Sequence, residues 1–171
     1  MARADRTERI IRQAALAIAV VGFLALPAAA ETPAEWVELG TRVHGFFGGF
    51  IAAGIRIGLD ARERLHAGPR EISVVYYSGE TAPCPCIVDG VMLAVQASPG
   101  QGSVEIAHDK APQGKLALIV VRHRKTGEAI RYSVPNDWLP KMLAWNKLPP
   151  IERYDAAMKA EGLLSIEPAG P

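Results

Sequence analysis

The chemistry in this chain starts with its only two cysteines, which stand one residue apart as Cys84-Pro85-Cys86. Two thiolates at that spacing can share one soft ion such as zinc or copper(I), with an imidazole completing the set. They can also close into a disulfide, or serve as a nucleophilic or redox thiol and its resolving partner. Pro85 removes a backbone donor and fixes φ, so the loop is stiff. Four histidines can join the pair. His44 precedes Gly45 and the Gly48-Gly49 doublet, where backbone can approach a ligand closely. His108 follows a short strand and precedes Asp109, whereas His66 and His123 sit among charged neighbours and read as solvated.

Other familiar constellations are missing. There is no CxxC, so neither a thioredoxin-type centre nor a four-cysteine zinc site is available. No HExxH or serine-hydrolase elbow occurs, and Gly100-x-Gly102 follows a helix and lacks the third glycine of a dinucleotide loop. The cysteine pair therefore has three open readings: a metal site, a disulfide, or incidental thiols.

Several elements must position these groups. Pro33 to Leu65 carries apolar residues at helical spacing, with Thr32 as N-cap, Pro33 in the first turn and Glu35 in support. Gly48-Gly49 divides this run into two helices. Ala52, Ala53, Gly54 and Gly58 leave one side of the second helix small, which predicts a close neighbour. Glu71 to Ser78 reads as a strand and Ile87 to Ala97 as a short helix. Ser103 to Ala107 is a short strand. Lys115 to Arg124 pairs with Glu128 to Val134 through the Lys125-Thr126-Gly127 turn. Asn136 to Leu164 reads as two helices divided by Pro149-Pro150, with Asn136 and Asp137 as caps. The expected fold is α+β: an antiparallel β-meander flanked by helices in a single core domain.

The first thirty residues read as a secretory signal peptide. Arg3, Arg6, Arg9 and Arg12 precede an apolar run from Ala14 to Leu26, and Pro27-Ala28-Ala29-Ala30 supplies a small-residue cleavage site. That run is 13 residues, short of the ~20 needed to span a bilayer; an uncleaved anchor is the alternative. Cleavage after Ala30 leaves residues 31–171, a length suited to one domain. Four arginines and two acids leave with the signal, so the remainder carries 15 basic and 16 acidic residues. Such balance argues against a nucleic-acid surface. The expected location is the periplasm, with no membrane span after cleavage.

The spacing of several motifs resembles the family of the E-type polypeptide of formylmethanofuran dehydrogenase. The residues are His44-Gly45, Gly54-x-Arg56-x-Gly58, Cys86-x-x-Asp89 and Gly100-x-Gly102. Family members carry His-Gly-His-x-Cys-Pro-Gly followed by Gly-x-Arg-x-Gly. A second block reads Cys-x-x-Asp-Ala-x-Gln and runs into Thr-Gly-Cys-Thr-x-Gly-x-Gly-Asn. The resemblance spans about Trp36 to Val134. It implies an α+β core with a metal pocket, His44 and Cys86 as inherited site residues, and Asp89 and Arg56 near a bound cofactor. It also leaves room for a homodimer.

Departures from the pattern accompany it. Phe46 stands where the family has its second histidine, Gly48 where it has the first cysteine, Gly49 where it has proline, and Ala97 where it has the later cysteine. Cys84 is an addition that can supply one ligand back, and Phe46, Phe47 and Phe50 would make the pocket more apolar.

The leading expectation is an exported protein holding a transition metal, zinc or copper, or a small metal-containing cofactor. Its ligands would be His44, Cys84 and Cys86, with His108 as a fourth and Asp89 accepting a hydrogen bond behind them. The alternative is a periplasmic thiol redox enzyme using Cys86 and Cys84, with His44 as base and a redox protein as partner. A third reading is an accessory protein with a vestigial pocket, docking through Trp138, Trp145 and Pro149-Pro150.

Overall fold

The structure is a computed structural model that describes residues 30–170. The signal segment expected over residues 1–30 lies outside them, Ala30 excepted. From Glu31 onward the described residues form one compact unit. Among the described residues no helix is long and apolar enough to cross a membrane.

The architecture is α+β. Among the described residues five α-helices run α1 (Pro33–His44), α2 (Gly49–Arg64), α3 (Ile87–Val95), α4 (Leu139–Trp145) and α5 (Pro150–Lys159). Five strands, β1 (Ile72–Ser78), β2 (Val104–Ile106), β3 (Lys115–His123), β4 (Ala129–Pro135) and β5 (Ser165–Ala169), form one sheet in the order β2-β1-β3-β4-β5. The sheet is mostly antiparallel, but β2 pairs parallel to β1 at one edge. The expected meander is therefore incomplete. The α3 segment carries the chain back along the sheet before β2, so that strand arrives in the same direction as β1. Strand β5 adds the opposite edge after α5.

Local chemistry explains the boundaries. Thr32 and Glu35 form a capping box at the start of α1, each side chain bonded to the other's backbone N–H. Gly45 ends α1 in the left-handed region at φ 83°. Gly48 is the N-cap of α2, so the chain turns over Gly45 to Gly48 and resumes as helix at Gly49. Leu139 starts α4 without a side-chain cap. Asn136, expected as a cap, instead accepts a hydrogen bond from Thr81 at 3.0 Å.

Alternation in β3 places Ala117, Ile119, Val121 and His123 on the helix-covered side. His123, expected to be solvated, is therefore buried as the last member of that inward row. The helix α2 lies against α3 with almost no separation. A Cβ on Gly54 would overlap the carbonyl of Ile87, and one on Gly90 would overlap the carbonyl of Ile51. Two glycines facing each other let the helix backbones touch, as the small side of α2 predicts. A second tie holds α2 to the sheet: Tyr132 Oη and Arg64 Nε both donate to Asp60 Oδ2 at 2.7 Å. Burial first, then the Asp60 carboxylate, raises the Tyr132 pKa and keeps it a donor.

Candidate functional site

The close α2–α3 contact decides where the chemistry falls. It brings the first turn of α3 under the break between α1 and α2, so two side chains 45 positions apart in sequence become neighbours. His44, the last residue of α1, donates from Nδ1 to Asp89 Oδ2 at 2.7 Å. Asp89 sits in the first turn of α3, where the helix dipole favours a carboxylate. Both side chains are about one-quarter exposed, at 27% and 28%. With Nδ1 donating to a carboxylate, Nε2 is left without a hydrogen bond among the described residues.

Cys84 and Cys86 are joined in a disulfide with Cα atoms 5.3 Å apart. Both residues are half-buried, and Pro85 between them is exposed. Cys86 is the N-cap residue of α3, at the positive end of the helix, where the Val88 N–H donates to the Pro85 carbonyl at 2.9 Å. The sulfurs and His44 line one cleft of about 200 Å³, together with Phe46, Gly48, Phe50, Ile51, Pro83, Leu143 and Asn146.

The structure thus brings together His44, Asp89, Cys84 and Cys86. It does not bring in the other two expected residues. His108 is exposed beyond β2 and does not line the cleft. Arg56 does not line it either: its Nη1 donates to the carbonyls of Ala157 and Ala160 at 2.8 and 2.6 Å, satisfying the end of α5. Of the three phenylalanines, Phe46 and Phe50 reach the cleft. Phe47 turns the other way into the core beside Trp36 and Ile51.

Two lining residues had no signal in the sequence. Asn146 Oδ1 accepts from Gly49 N at 3.0 Å, acting as a cap for α2 from 97 residues away. Leu143 is an exposed apolar residue on α4. Neither belongs to a motif, since both meet the cleft only through tertiary packing. Trp138 and Trp145 meet as a tilted pair, ring centroids 5.9 Å apart and planes 50° from parallel, and pack against the core.

With the sulfurs joined, the donor set does not fit a metal ion. Neither cysteine offers a thiolate, and among the described residues no group of three or more His, Cys, Asp or Glu is placed to hold one.

Fold and cleft together define a class: a compact α+β protein that carries a cystine and a histidine–carboxylate pair on one wall. Residues 43–161 match the family described as FmdE, Molybdenum formylmethanofuran dehydrogenase operon, and the chain belongs to that family. The match runs from the residue before His44 through α5, so it contains the whole cleft. The chain has no match among the curated proteins.

Proposed function

We propose that this FmdE-family chain is a thiol–disulfide redox module that works at the Cys84–Cys86 bridge in an exported setting. One observation carries the reading: the bridge lies half-exposed at the N-terminus of α3, in the same cleft as a histidine whose second nitrogen is free. A structural bridge is the competing view, and its expected contribution is small. Closing a loop over one residue restrains the unfolded chain by roughly 1.5 kcal/mol, against about 3 for a loop of 15 residues. So short a staple adds little to a core that already includes buried Phe50, Ile57, Tyr76 and Ile119.

The step balances with a dithiol partner. A partner thiolate attacks Cys84 Sγ, forming a mixed disulfide and breaking the Cys84–Cys86 bond. The electron pair goes to Cys86, whose thiolate the α3 N-terminus stabilises. A second partner thiolate then attacks the partner's sulfur in the mixed disulfide and releases Cys84. The two released thiolates take up two protons, and His44 is the cleft group suited to handling one of them. Asp89 holds the His44 ring in the tautomer that leaves Nε2 available.

The test is alkylation of the native protein equilibrated in thiol buffers of graded potential. Reversible, two-electron titration of both cysteines is expected. A bridge that stays closed until the protein unfolds would contradict the reading.

A second reading is supported by the His44–Asp89 bond, because a histidine tied to a carboxylate through one nitrogen is arranged as ligating histidines are. Reduction would return Cys84 and Cys86 to thiolates on the wall they share with His44, a donor set suited to zinc or copper. Metal retained by a Cys84→Ser/Cys86→Ser protein would contradict that assignment.

A further inference from the structure

The cystine shares its cleft with exposed apolar side chains that form a rim. Phe46 and Leu143 line its cleft and yet remain 48% and 46% exposed, and Pro83 stands exposed beside them. Phe46 is held out rather than left loose. The Arg153 guanidinium carbon lies 4.7 Å from its ring centroid, a cation–π distance. The nitrogens of Arg153 donate to the carbonyls of Leu148, Phe47 and Asn146 at 2.6 to 2.9 Å, which ties the loop after Phe46 and the end of α4 to α5. Gly48 leaves the room the ring needs, since a Cβ there would come 3.2 Å from Phe46 Cε1.

Among the described residues lining the cleft there is no Lys, Arg, Asp or Glu, and His44 is occupied at Nδ1 by Asp89. Arg153, the cation stacked on the rim, has Nε, Nη1 and Nη2 all donating to backbone carbonyls. An anionic small thiol such as glutathione finds no lysine or arginine in the cleft lining, and the Arg153 guanidinium at the rim, though charged, has each nitrogen engaged with a backbone carbonyl. An apolar segment finds two large side chains and a proline arranged around the reactive bond.

We propose, resting on the redox reading above, that the cleft recognises a cysteine thiol carried on an uncharged, apolar protein segment. Phe46 and Leu143 take up the residues that flank the reacting cysteine. The exchange is the one already balanced, with both thiols supplied by that segment's protein.

The experiment compares second-order rates of opening the native bridge by four reductants: a dicysteine peptide with leucine flanks, the same peptide with glutamate flanks, glutathione and dithiothreitol. Rates are corrected for thiolate concentration. The leucine peptide is expected to react at least about tenfold faster than the glutamate peptide and glutathione. The ratio of the leucine-peptide rate to the dithiothreitol rate should fall about tenfold in Phe46→Ser and in Leu143→Ser. It should be unchanged in Ile151→Ser, an exposed position outside the cleft lining. Either rim variant alone suffices if the other fails to fold. Equal rates for all peptides, or a ratio that ignores both rim substitutions, would overturn this proposal and leave the redox reading standing. A native bridge that dithiothreitol cannot open would overturn both.

Discussion

Among the described residues there are two histidine–carboxylate pairs, and their surroundings make them opposites. His123 is 8% exposed at the end of β3, with Nε2 3.6 Å from Glu71. Its Nδ1 accepts from the backbone N–H groups of Lys125 and Thr126 at 3.1 and 3.4 Å. Glu71 is in turn bound to Lys125 and accepts from Gly68 N at 2.9 Å. Every group in that cluster is engaged in holding the β3–β4 turn against the start of β1. His44 makes one bond, to Asp89, leaves its other nitrogen unbonded among the described residues, and lines the cleft that holds the cystine. A histidine absorbed by the fold is saturated; a histidine kept for chemistry has a nitrogen to spare.

The largest expected effect comes from exchanging these fates. His44→Ala should slow opening of the bridge by dithiothreitol on the order of a hundredfold, the low end of general acid–base assistance. Its melting temperature should barely move, because a partly exposed side chain with one bond contributes little. A rate equal to wild type would remove His44 from the mechanism.

His123→Ala should do the reverse. Two backbone donors lose their acceptor in a buried turn, at a cost of about 2 kcal/mol, which lowers the melting temperature by roughly 8 °C. Bridge opening in the folded protein should match wild type. A slowed reaction without lost stability would break the contrast between the pairs.

The smallest effect lies in the acid limb of stability. The Lys125 hydrogen bond, aided by Gly68 N–H, holds Glu71 below its ordinary value. A depressed carboxylate stabilises the fold above its unfolded pKa, and that contribution fades as pH falls through the folded value. Thermal melts of Glu71→Gln should therefore lose less between neutral and acid pH than wild type. Parallel curves would show that the turn does not depend on this charge.

Much of this arrangement is legible in the residues. The Thr32–Glu35 cap, the small face of α2 and the Gly127 turn each follow from local rules. So does the α+β class. The link between His44 and the cysteines comes from motif spacing, and Asp89 comes with it. What stays hidden depends on long-range packing. His123 looks solvated because its neighbours in sequence are charged, but strand alternation turns it inward. Arg56 stands in a motif, yet its partners are carbonyls about a hundred residues away. Strand β5 has too little alternation to declare itself, since Ile166 is partly exposed and Pro168 interrupts the row. Asn146 caps a helix that nothing near it in sequence foretells.

His44 rather than His123 serves the cystine. The direct measurement is the pH dependence of bridge opening, corrected for reductant thiolate, in wild type, His44→Gln and His123→Gln. Wild type should show an inflection that persists in His123→Gln and vanishes in His44→Gln. One common profile for all three proteins would contradict it.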